Sequence, residues 1–596
     1  MPKHTRQSEK IPPSPVQMSG ADILIQTLVN AGVTTIFAYP GGRIIPIHQA
    51  MTRFRDKIRV ILPRHEQGGG FAAHGYARST GKIGVCTATS GPGATNLITT
   101  IADAKLDSVP MLFITGQVGT NNIGSDAFQE APIVEMCRSI TKHHYLVTDV
   151  NDIARIVKEA VHIAATGRPG PVLIDIPSNI QTAQCIPDFD VPMDLPGYTA
   201  AMPKPAEDVL DKIAALIQKS KAPVIYAGGG IIAAEAAGEL RHFAEKLQIP
   251  VTATMNGLSA FPRTHPLALG MLGMHGTAYA NHAVHESDLL LAFGVRFDDR
   301  VTGKVSEFAK NAAIVHADID ASEINKIKEA GIAVVADIRS LLQGLLKRLI
   351  SYKPAADIEQ WHRKIDQWKK EMPMTYDPDS PHITAPMTID ELWKATKDRE
   401  MIIATGVGQH QMWTTQFYRF EKPRTWLSSA GLGTMGFGLP AAIGAKAAHP
   451  DKLVIDIDGD GSFQMNIQEM ATCFCEKIVM KVLLLNNQHL GMVVQWEDRF
   501  HKSNRAHTYL GPIDHPEYFG KGTGTGPETR YPDYVAIAKG YGWDGLSISK
   551  KSELVPAIQK MIDSPQSFLL DVAVPYQAHV LPMIPAGATL DEMIRR

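Results

Sequence analysis

Asp460 and Asn487 are the two residues whose types and spacing first suggest chemistry in this sequence. Asp460 follows the apolar run Leu453–Ile457 in a Gly-Asp-Gly turn, and Asn487 follows a second apolar run, Val482–Leu485. A segment with helical periodicity, about Met465 to Cys475, lies between them, which predicts two parallel strands joined by a right-handed crossover. Open α/β sheets bind ligands at the carboxyl ends of such strands. A carboxylate, an amide oxygen and a carbonyl such as that of His489 suit a hard cation such as Mg²⁺.

The turn that carries Asp460 is also placed to bind phosphate. Mg²⁺ usually completes its coordination with phosphate oxygens, and the backbone N–H groups of Gly461 and Ser462 open the following helix, where anions bind. An ordinary strand–helix–strand unit with a glycine turn is the alternative. GDGS followed by NN, 27 residues from aspartate to asparagine, is more specific than GDG alone. The arrangement resembles the diphosphate-binding motif of thiamine-diphosphate (ThDP) enzymes.

The composition is that of an ordinary globular protein and predicts several domains. The chain has 596 residues, 44% of them apolar and 20% charged, with a net charge of −2. This length predicts about three or four domains, and the charge balance gives no basis for binding nucleic acid or an anionic membrane. The sequence shows no run of about 20 apolar residues and no secretory signal. Five scattered cysteines favour free thiols and a cytoplasmic location.

The elements that must position these residues follow an α/β pattern. Short apolar strands alternate with helical segments, which indicates three doubly wound domains with mostly parallel sheets, the architecture of ThDP enzymes. The tryptophan-bearing stretch 351–380 is interpreted as a linker, and 502–530 as a loop or lid beside the site. The predicted boundaries are a disordered tail at 1–19, domains at 20–186, 206–350 and 384–575, and a tail at 576–596 over the active site.

Glu66 is the acid–base candidate of the first domain. It follows the predicted strand Ile58–Leu62 within Arg-His-Glu-Gln and opens a helical segment. The helix dipole favours an acid at this position, so a capping role explains the residue as well as a catalytic role does. The glycine loop Ser90–Asn96 at another strand end indicates a tight turn or an anion site.

The second domain has glycines and acids at its predicted strand ends. Gly228–Gly230 follow one strand and Asp318 follows another. Glycines after a strand permit close approach of a nucleotide, and an acid at a later strand end can bind its ribose. Because the glycines do not form G-x-G-x-x-G, nucleotide binding and a structural turn both stay open on this pattern.

Many motifs together make the chain similar to the large, catalytic subunit of acetohydroxyacid synthase (acetolactate synthase). The similarity runs from about Gly20 to the end of the chain, and its narrowest motifs are VGQHQMW, RFDDR and GMVVQW. It also includes AYPGG, RHEQG, TSGPGATN, GRPGPVLIDIP, GDGSFQMNIQE and HVLPMIP. The similarity implies that pyruvate is decarboxylated on ThDP and that the two-carbon unit passes to pyruvate or 2-oxobutyrate. This reaction is the first common step of branched-chain amino acid biosynthesis.

The similarity also assigns cofactors and roles. The three domains would bind the ThDP pyrimidine, FAD, and the ThDP diphosphate with Mg²⁺, in chain order. Glu66 would hydrogen-bond the aminopyrimidine ring and assist removal of the thiazolium C2 proton. Met435 would bend the cofactor, and Gln129 would complete the catalytic channel. The implied metal ligands are Asp460, Asn487 and His489, and the other ThDP contacts are Gly408, Gln409, His410, Gly433, Gly461, Ser462 and Met492.

Flavin and acceptor sites are implied in the same way. FAD would have a mainly structural role, because the net reaction is not redox. Arg300 would receive the carboxylate of the second substrate, although it could instead form a surface ion pair. Trp496, a few residues past Asn487, would project from that strand edge and shape the acceptor pocket. The implied FAD contacts are Arg168, Gly228, Gly229, Gly230, Met274, His275, Gly276, Arg296, Asp318 and Asp337. Other channel residues, some of which could equally be core, are Phe128, Gln117, Lys204 and Val493.

Assembly and a few atypical positions complete the prediction. The family implies a homodimer or homotetramer with active sites at the subunit interface, together with a small regulatory subunit. Gly406 stands where the family usually has an aspartate, and Gly119 replaces a frequent proline. Arg43 and the pair Gly69–Gly70 are also atypical beside the cofactor pocket. None of these departures removes a reacting group.

Four other functions remain as alternatives. Glyoxylate carboligase lacks the glutamate seen here as Glu66, and pyruvate oxidase lacks a match to GMVVQW. A catabolic acetolactate synthase would not need the flavin motifs. A non-catalytic binding or regulatory homologue comes from a different functional class, and the presence of Glu66, Asp460 and Asn487 argues against it.

Overall fold

The computed structural model describes residues 16–198, 202–354, 356–514 and 531–595. Over these residues the chain forms three domains, each built on a six-stranded sheet whose strands are all parallel. The predicted α/β fold with three doubly wound domains is therefore confirmed. Within the described ranges, no helix is both long enough and apolar enough to cross a membrane.

The N-terminal domain places its sheet in the order β3–β2–β4–β5–β7–β6, with β1 and β8 as a separate antiparallel pair. Residues 18 and 19 thus belong to the fold, so the predicted tail at 1–19 is wrong there, and 1–15 lie outside the described residues. The strands are β1 (Met18–Ser19), β2 (Thr35–Ala38), β3 (Arg59–Ile61), β4 (Gly84–Ala88), β5 (Met111–Gln117), β6 (His143–Leu146), β7 (Pro171–Pro177) and β8 (Gln184–Cys185). The helices are α1 (Gly20–Asn30), α2 (Ile45–Arg53), α3 (Glu66–Thr80), α4 (Pro92–Thr95), α5 (Ile98–Leu106), α6 (Ile133–Cys137), α7 (Ile153–Ala165) and α8 (Ser178–Thr182).

The central domain has the sheet order β11–β10–β9–β12–β13–β14. Its strands are β9 (Pro223–Ala227), β10 (Val251–Ala253), β11 (Ala268–Met271), β12 (Leu289–Phe293), β13 (Ala313–Asp318) and β14 (Ile332–Val335). Its helices are α9 (Glu207–Lys219), α10 (Gly229–Ala233), α11 (Ala237–Leu247), α12 (Ala278–Glu286), α13 (Asp299–Thr302), α14 (Ile338–Arg348) and α15 (Ala356–Glu371).

Helix α15 corrects the interpretation of 351–380 as a linker. Trp361 and Trp368 on one face of this helix are buried in a cluster with residues of the central domain. Trp361 Nε1 also donates a hydrogen bond to Pro223 O at the start of β9, at 3.2 Å. The two indoles make this segment part of the central domain, because they bury a large apolar area against its sheet.

The C-terminal domain has the sheet order β16–β15–β17–β18–β20–β19. Its strands are β15 (Met401–Thr405), β16 (Trp426–Ser428), β17 (Leu453–Gly459), β18 (Lys481–Asn486), β19 (Asp544–Ile548) and β20 (Phe568–Ala573). Its helices are α16 (Ala385–Thr396), α17 (Gln409–Phe417), α18 (Gly438–Ala448), α19 (Asp460–Phe463), α20 (Glu469–Glu476), α21 (Gly491–Phe500), α22 (Tyr534–Gly540) and α23 (Lys551–Asp563).

The crossover between β17 and β18 is less regular than its sequence pattern predicts. One continuous helix was expected at 465–475, but a 3₁₀ turn, Gln464–Asn466, separates α19 from α20. Asn466 Nδ2 donates to Gly436 O at 2.7 Å, and its distance to Gln67 Oε1 is 3.4 Å. The break thus lets one side chain contact residues from two different domains.

The N- and C-terminal domains share one hydrophobic core, built where α3 crosses α18. A Cβ atom at Gly75 would lie 2.0 Å from Ala441 O, and one at Gly444 would lie 1.7 Å from Ala72 O. Only glycine permits this backbone approach. The two domains are therefore held in a fixed relation that brings the loops at their sheet edges together.

Candidate active site

Asp460 and Asn487 lie at one edge of the C-terminal sheet, because β17 and β18 are parallel neighbours. Both line a cavity of about 100 Å³. Asp460 is 3% exposed, and burial raises the pKa of its carboxyl to about 7, although backbone N–H groups of Asp460 and Asn487 oppose that rise. A cation beside this carboxyl would favour its charged form. The donor set therefore fits a divalent ion.

His489 is held beside this cavity by its neighbours. Its backbone N–H donates to Asn487 Oδ1 at 2.9 Å, and its ring stacks on Tyr576 with the centroids 4.0 Å apart. Leu490 N–H donates to Thr508 O at 2.8 Å, which seats residues 502–514 next to the same turn. The lid predicted at 502–530 stays a prediction, because 515–530 lie outside the described residues.

The start of α17 faces the same cavity. Gly408 precedes the helix, and Gln409 and His410 occupy its first positions and line the cavity. His410 Nε2 lies 3.2 Å from the carboxylate of Asp458, while Gln409 Nε2 donates to Ala578 O at 2.9 Å. A helix N-terminus, together with an imidazole, suits the negative charge of a diphosphate.

Met435 and the GDGS turn complete this cavity. Met435, Gly461 and Ser462 all line it, and Ser462 Oγ accepts a hydrogen bond from Gly436 N–H at 3.0 Å. This bond ties the turn after Met435 to the turn that carries Asp460. Gly433, which has a positive φ of 72°, lies two residues before Met435 and lines a larger neighbouring cavity instead.

Asp456 and Asp458 are buried acids of β17 that the sequence analysis did not assign to the site; Asp456 lies within the apolar run 453–457, and Asp458 directly follows it. Both side chains are fully buried. Burial, followed by the nearby charge of Asp458, raises the pKa of Asp456 well above its usual range. An acid inside an otherwise apolar strand is the signal that was available in the sequence.

The atypical glycines have a steric explanation where neighbours fill the space. A Cβ at Gly406 would lie 2.0 Å from Asp458 Oδ1, so the usual aspartate would not fit beside Asp458 in this arrangement. A Cβ at Gly70 would lie 2.4 Å from Thr100 Oγ1. Gly119 differs, because a Cβ there would make only ordinary contacts, the nearest at 3.7 Å from Asn179 Oδ1, and its φ of −57° is one that proline also adopts.

The larger cavity, of about 450 Å³, lies where the three domains meet. Asp318 at its edge is buried, and burial raises the pKa of its carboxyl to about 6. Arg168 reaches the cavity from the N-terminal domain and pairs with Glu323 at 2.6 Å. The predicted FAD contacts that line the cavity are Arg168, Gly229, Gly230, Met274, His275, Arg296, Asp318 and Asp337.

Two predicted FAD contacts do not line this cavity. A Cβ at Gly228 would lie 1.9 Å from Gly294 O, and one at Gly276 would lie 2.5 Å from Met271 O. These glycines permit tight backbone packing under the cavity wall. They support its shape without forming its surface.

The predicted acceptor residues Arg300 and Trp496 both line the larger cavity. Arg300, Trp496 and Met492 line the larger cavity, and Met492 and Gly408 also line the smaller one. Trp496 was expected to project from a strand edge, but it lies in α21, with its ring centroid 5.0 Å from that of Phe500. Val493 lines the smaller cavity and is exposed.

Glu66 is the first residue of α3 and is buried. The cap of this helix is His65, whose side chain accepts Gln67 N–H at 3.1 Å. The carboxylate of Glu66 instead accepts Asn96 Nδ2 at 2.9 Å. His65 therefore supplies the side-chain cap, and Glu66 lies in the first turn, where the helix dipole also favours its charge.

The other predicted channel residues, Phe128, Gln129 and Gln117 of the first domain and Lys204 just before the central domain, lie apart from the two cavities described above. Phe128 is 81% exposed, and Gln129 beside it has a positive φ of 59°. Gln117 is buried and bonded within its own domain, donating to Asp175 Oδ2 at 2.9 Å. Lys204 is exposed. In the described part of the chain, neither these residues nor Glu66 line the cavity of Asp460 or the larger cavity.

The C-terminal tail connects two domains across this region. Ala578 O accepts Gln409 Nε2, and Ile584 N–H donates to Met274 O at 2.8 Å. Val580 N–H also donates to Gln495 Oε1 at 2.7 Å. The tail therefore covers the surface between α17, α21 and the loop of Met274.

Comparisons with known proteins match this architecture along most of the chain. Residues 18–136 match the thiamine pyrophosphate enzyme N-terminal TPP binding domain, and 210–345 match the central domain of the same enzymes. Residues 406–572 match their C-terminal TPP binding domain. The chain therefore binds thiamine diphosphate, as the sequence analysis predicted.

Full-length relatives narrow the assignment. Acetolactate synthase 1, chloroplastic, of Oryza sativa subsp. japonica is 55% identical over 578 residues, which cover 96% of this chain and 87% of the relative. Acetolactate synthase 1, chloroplastic, of Zea mays is 55% identical over 96% of this chain and 88% of its own length. Acetolactate synthase, chloroplastic, of Arabidopsis thaliana is 54% identical over 96% and 84%.

The cytoplasmic location expected from the sequence is wrong, because the names of these relatives contradict it. All three relatives are chloroplastic enzymes. The expectation rested on free cysteines, which indicate a reducing environment without distinguishing between reducing compartments. The same matches favour acetolactate synthase over the alternatives weighed from the sequence. The chain belongs to the acetolactate synthase family of thiamine pyrophosphate enzymes.

Proposed function

We propose that this chain, with ThDP, Mg²⁺ and FAD bound, decarboxylates pyruvate and adds the two-carbon unit to a second 2-oxo acid. The acceptor is pyruvate or 2-oxobutyrate, and the product is 2-acetolactate or 2-aceto-2-hydroxybutyrate. The observation that carries this proposal is the junction of the two cavities. Met492 lines both, with the candidate metal ligands on one side and Arg300 and Trp496 on the other.

The smaller cavity would hold the metal and the diphosphate. When bound, ThDP supplies a thiazolium C2 that attacks the substrate carbonyl and accepts the charge left by decarboxylation. The Mg²⁺ ligands would be Asp460, Asn487 and His489, whose oxygens suit a hard cation. The diphosphate contacts would be Gly408, Gln409, His410, Gly461 and Ser462, which place a helix start and backbone N–H groups at the cavity.

Glu66 would act on a cofactor held by a second copy of the chain. It would share a proton with a ring nitrogen of the aminopyrimidine and so promote deprotonation of C2. Glu66 lies outside the described lining of its own chain's diphosphate cavity, and in the same domain Phe128 is exposed and Gln129 is half-buried. We therefore propose a homodimer, or a tetramer of such dimers, together with a small regulatory subunit inferred from family similarity.

FAD would occupy the larger cavity. Eight of the ten residues predicted from the sequence line it, and the charges of Arg168 and Arg296 suit its diphosphate. Because the net reaction is not redox, 5-deaza-FAD should support acetolactate formation at a rate within about threefold of FAD. A rate that instead follows the oxidation state of the flavin would contradict this structural role.

Arg300 and Trp496 would select the acceptor. The guanidinium of Arg300 would bind the carboxylate that all 2-oxo acids carry. The indole of Trp496 would contact the additional methyl group of 2-oxobutyrate. One methylene group in an apolar pocket is worth about 1–3 kcal/mol, so the tryptophan rather than the arginine should set the preference.

One incubation tests the proposed function. Purified chain is supplied with pyruvate, ThDP, Mg²⁺ and FAD, and the products are identified by mass with oxygen uptake followed in parallel. The expected result is one 2-acetolactate and one CO₂ for every two pyruvate molecules consumed, without oxygen uptake. Acetate formed in step with oxygen uptake would indicate a pyruvate oxidase instead.

A further inference from the structure

The turn from Ser429 to Met435 in the C-terminal domain is held by a carboxylate of the N-terminal domain. Asp107 Oδ1 accepts Gly431 N–H at 2.8 Å, and Asp107 Oδ2 accepts Ala430 N–H at 3.0 Å. Both oxygens of one side chain are therefore fixed by two successive backbone amides. Such charge-assisted bonds are stronger than bonds between neutral groups.

Asp103 lies four residues before Asp107 in the sequence and binds both Ser429 and Thr434, near the two ends of the same turn. Its Oδ1 accepts the hydroxyl of Ser429, and it also accepts the hydroxyl of Thr434 at 3.1 Å. Ser429 Oγ in turn accepts Thr434 N–H at 2.8 Å. Thr434 directly precedes Met435, the residue expected to bend the cofactor. Two carboxylates thus fix the turn at both ends.

The position of these acids in their own helix is unfavourable. Asp107 follows the last residue of α5, where the helix dipole disfavours a negative charge. Asp103 is buried, and burial, followed by the nearby charge of Asp107, raises the pKa of its carboxyl. Neither placement stabilises α5, so the reason for these two acids lies in their contacts with other elements, among them the turn.

Asp107 also connects the central domain to the turn from Ser429 to Met435. Its Oδ1 accepts Asn256 Nδ2 at 2.9 Å, from the central domain, and Arg78 Nη1 lies 3.4 Å from its Oδ2. His74 stands close enough to both acids for a metal ion to be considered. The guanidinium of Arg78 already supplies positive charge at Asp107, which argues against a cation there.

We propose that Asp103 and Asp107 are positioning residues that hold the turn of Met435, and thereby fix the bent form of the cofactor. This inference rests on the proposed function. Asp103 lines neither cavity, whereas Asp107 also lines the larger cavity proposed for FAD. Both acids would act on the reaction through the backbone of residues 429–435. Misplacing a catalytic group by about 1 Å can lower a rate by about 10²-fold, so a loosened turn should slow the chemistry.

Asparagine substitutions test the geometry, because the two acids use their oxygens differently. At Asp107 both oxygens accept N–H groups, so Asp107→Asn places an amide N–H against a backbone donor or against Arg78. At Asp103 the accepting atom is Oδ1, while Oδ2 lies 3.4 Å from His74 Nε2. Asp103→Asn can therefore keep its acceptor and turn its amide group towards the imidazole of His74.

With saturating ThDP, Mg²⁺ and FAD, Asp107→Asn should lower kcat by about 10- to 100-fold. The KM for pyruvate should change by less than about threefold, because the turn does not hold the substrate. Asp103→Asn should keep kcat within about threefold of the wild type. Thr434→Val removes only the hydroxyl that bonds to Asp103 and should lower kcat by about threefold. If Asp107→Asn does not fold, Thr434→Val replaces it as the test of the turn.

Asp288→Asn in the central domain is the matched control. Asp288 likewise accepts two successive backbone amides, Lys221 N–H at 2.7 Å and Ala222 N–H at 3.1 Å. The control should lower thermal stability about as much as Asp107→Asn while leaving kcat within about twofold. A loss of kcat in Asp288→Asn equal to that in Asp107→Asn would overturn the proposal.

Amide hydrogen exchange in the cofactor-free chain gives a readout that does not depend on activity. Ala430 and Gly431 should exchange faster in Asp107→Asn than in the wild type and should be unchanged in Asp288→Asn. Unchanged exchange together with normal kcat in Asp107→Asn would overturn the positioning role. If the wild type makes no acetolactate, the proposed function fails, while the exchange contrast still reports on the turn.

Discussion

The N- and C-terminal domains have the same parallel six-stranded sheet, yet they contribute to the site in different ways. In the C-terminal domain, residues that follow β15, β17 and β18 meet in one cavity. In the N-terminal domain, Glu66 follows β3 by a short turn and Gln129 lies in the loop between β5 and α6, and both are outside the described lining of that cavity. With the same architecture, the C-terminal residues form a cavity within one chain. The N-terminal residues Glu66 and Gln129, which we call the N-terminal half-site, do not line that cavity. We infer that the N-terminal half-site is completed by a second copy of the chain.

The largest expected effect comes from the N-terminal half-site. Glu66→Gln keeps the size of the side chain and can still meet Asn96, but it cannot share a proton with the aminopyrimidine. We expect turnover and the rate of C2 proton exchange to fall by about 10²-fold or more, the range for losing acid–base assistance. ThDP affinity, measured by titration, should change little.

A matched variant separates this chemistry from helix stability. His65→Ala removes the cap of α3, so it should lower thermal stability without lowering C2 exchange to the level of Glu66→Gln. Near-normal C2 exchange in Glu66→Gln would remove Glu66 from the reaction, and the comparison between the two domains would lose its basis.

The next effect concerns the acceptor side of the C-terminal domain. Trp496→Leu should lower the ratio of aceto-hydroxybutyrate to acetolactate by about tenfold, because the contact with one methyl group is lost. Arg300→Lys should weaken both products alike, since a point charge replaces the bidentate guanidinium. A competition assay with both oxo acids measures the ratio. A changed ratio in the arginine variant alone would show that the pocket is assigned to the wrong residue.

A smaller effect concerns Glu469, which links the two domains at the turn of Glu66. Arg64 N–H donates to Glu469 Oε1 at 3.0 Å, and burial raises the pKa of this carboxyl to about 7, from an ordinary value of 4.5. The folded protein therefore keeps a proton that the unfolded chain releases between about pH 4.5 and 7. The free energy of unfolding should fall as pH rises through this window, by up to about 1.4 kcal/mol per unit.

Glu469→Gln measures this contribution by difference. In the variant, the free energy of unfolding should lack the part of its fall with pH that comes from Glu469. Its thermal midpoint should therefore change less than that of the wild type between pH 5 and 8. Above about pH 7 the contribution of Glu469 no longer depends on pH. Equal pH dependence in the two proteins would mean that the carboxyl of Glu469 is already charged in the folded state at low pH.

Much of the fold could be predicted because local pattern and tertiary role agree. The predicted runs at 453–457 and 482–485 lie within β17 and β18, since buried parallel strands are apolar on both faces. The turn residues Asp460 and Asn487 follow directly from those strands. By contrast, α21 was missed around Trp496, where the helix has an apolar and a polar face but only ten residues.

The parts that escaped prediction depend on contacts between distant residues. The helix break at Gln464–Asn466 allows Asn466 to meet Gly436, thirty residues away. The bonds from Asp103 and Asp107 to the turn of Met435 join residues more than three hundred positions apart. No local period records such contacts, although acids at the end of a helix are a visible irregularity.

Mixing two inactive chains tests the central claim, that each active site is shared between two copies. Glu66→Gln and Asp460→Asn chains are allowed to exchange subunits, and exchange is verified by mass tags. If the site is shared, each mixed dimer has one site with both changes and one with neither. Half of the dimers formed by random exchange are mixed, so about a quarter of wild-type activity should return. Activity that stays at the average of the two separate variants after verified exchange would contradict the shared site.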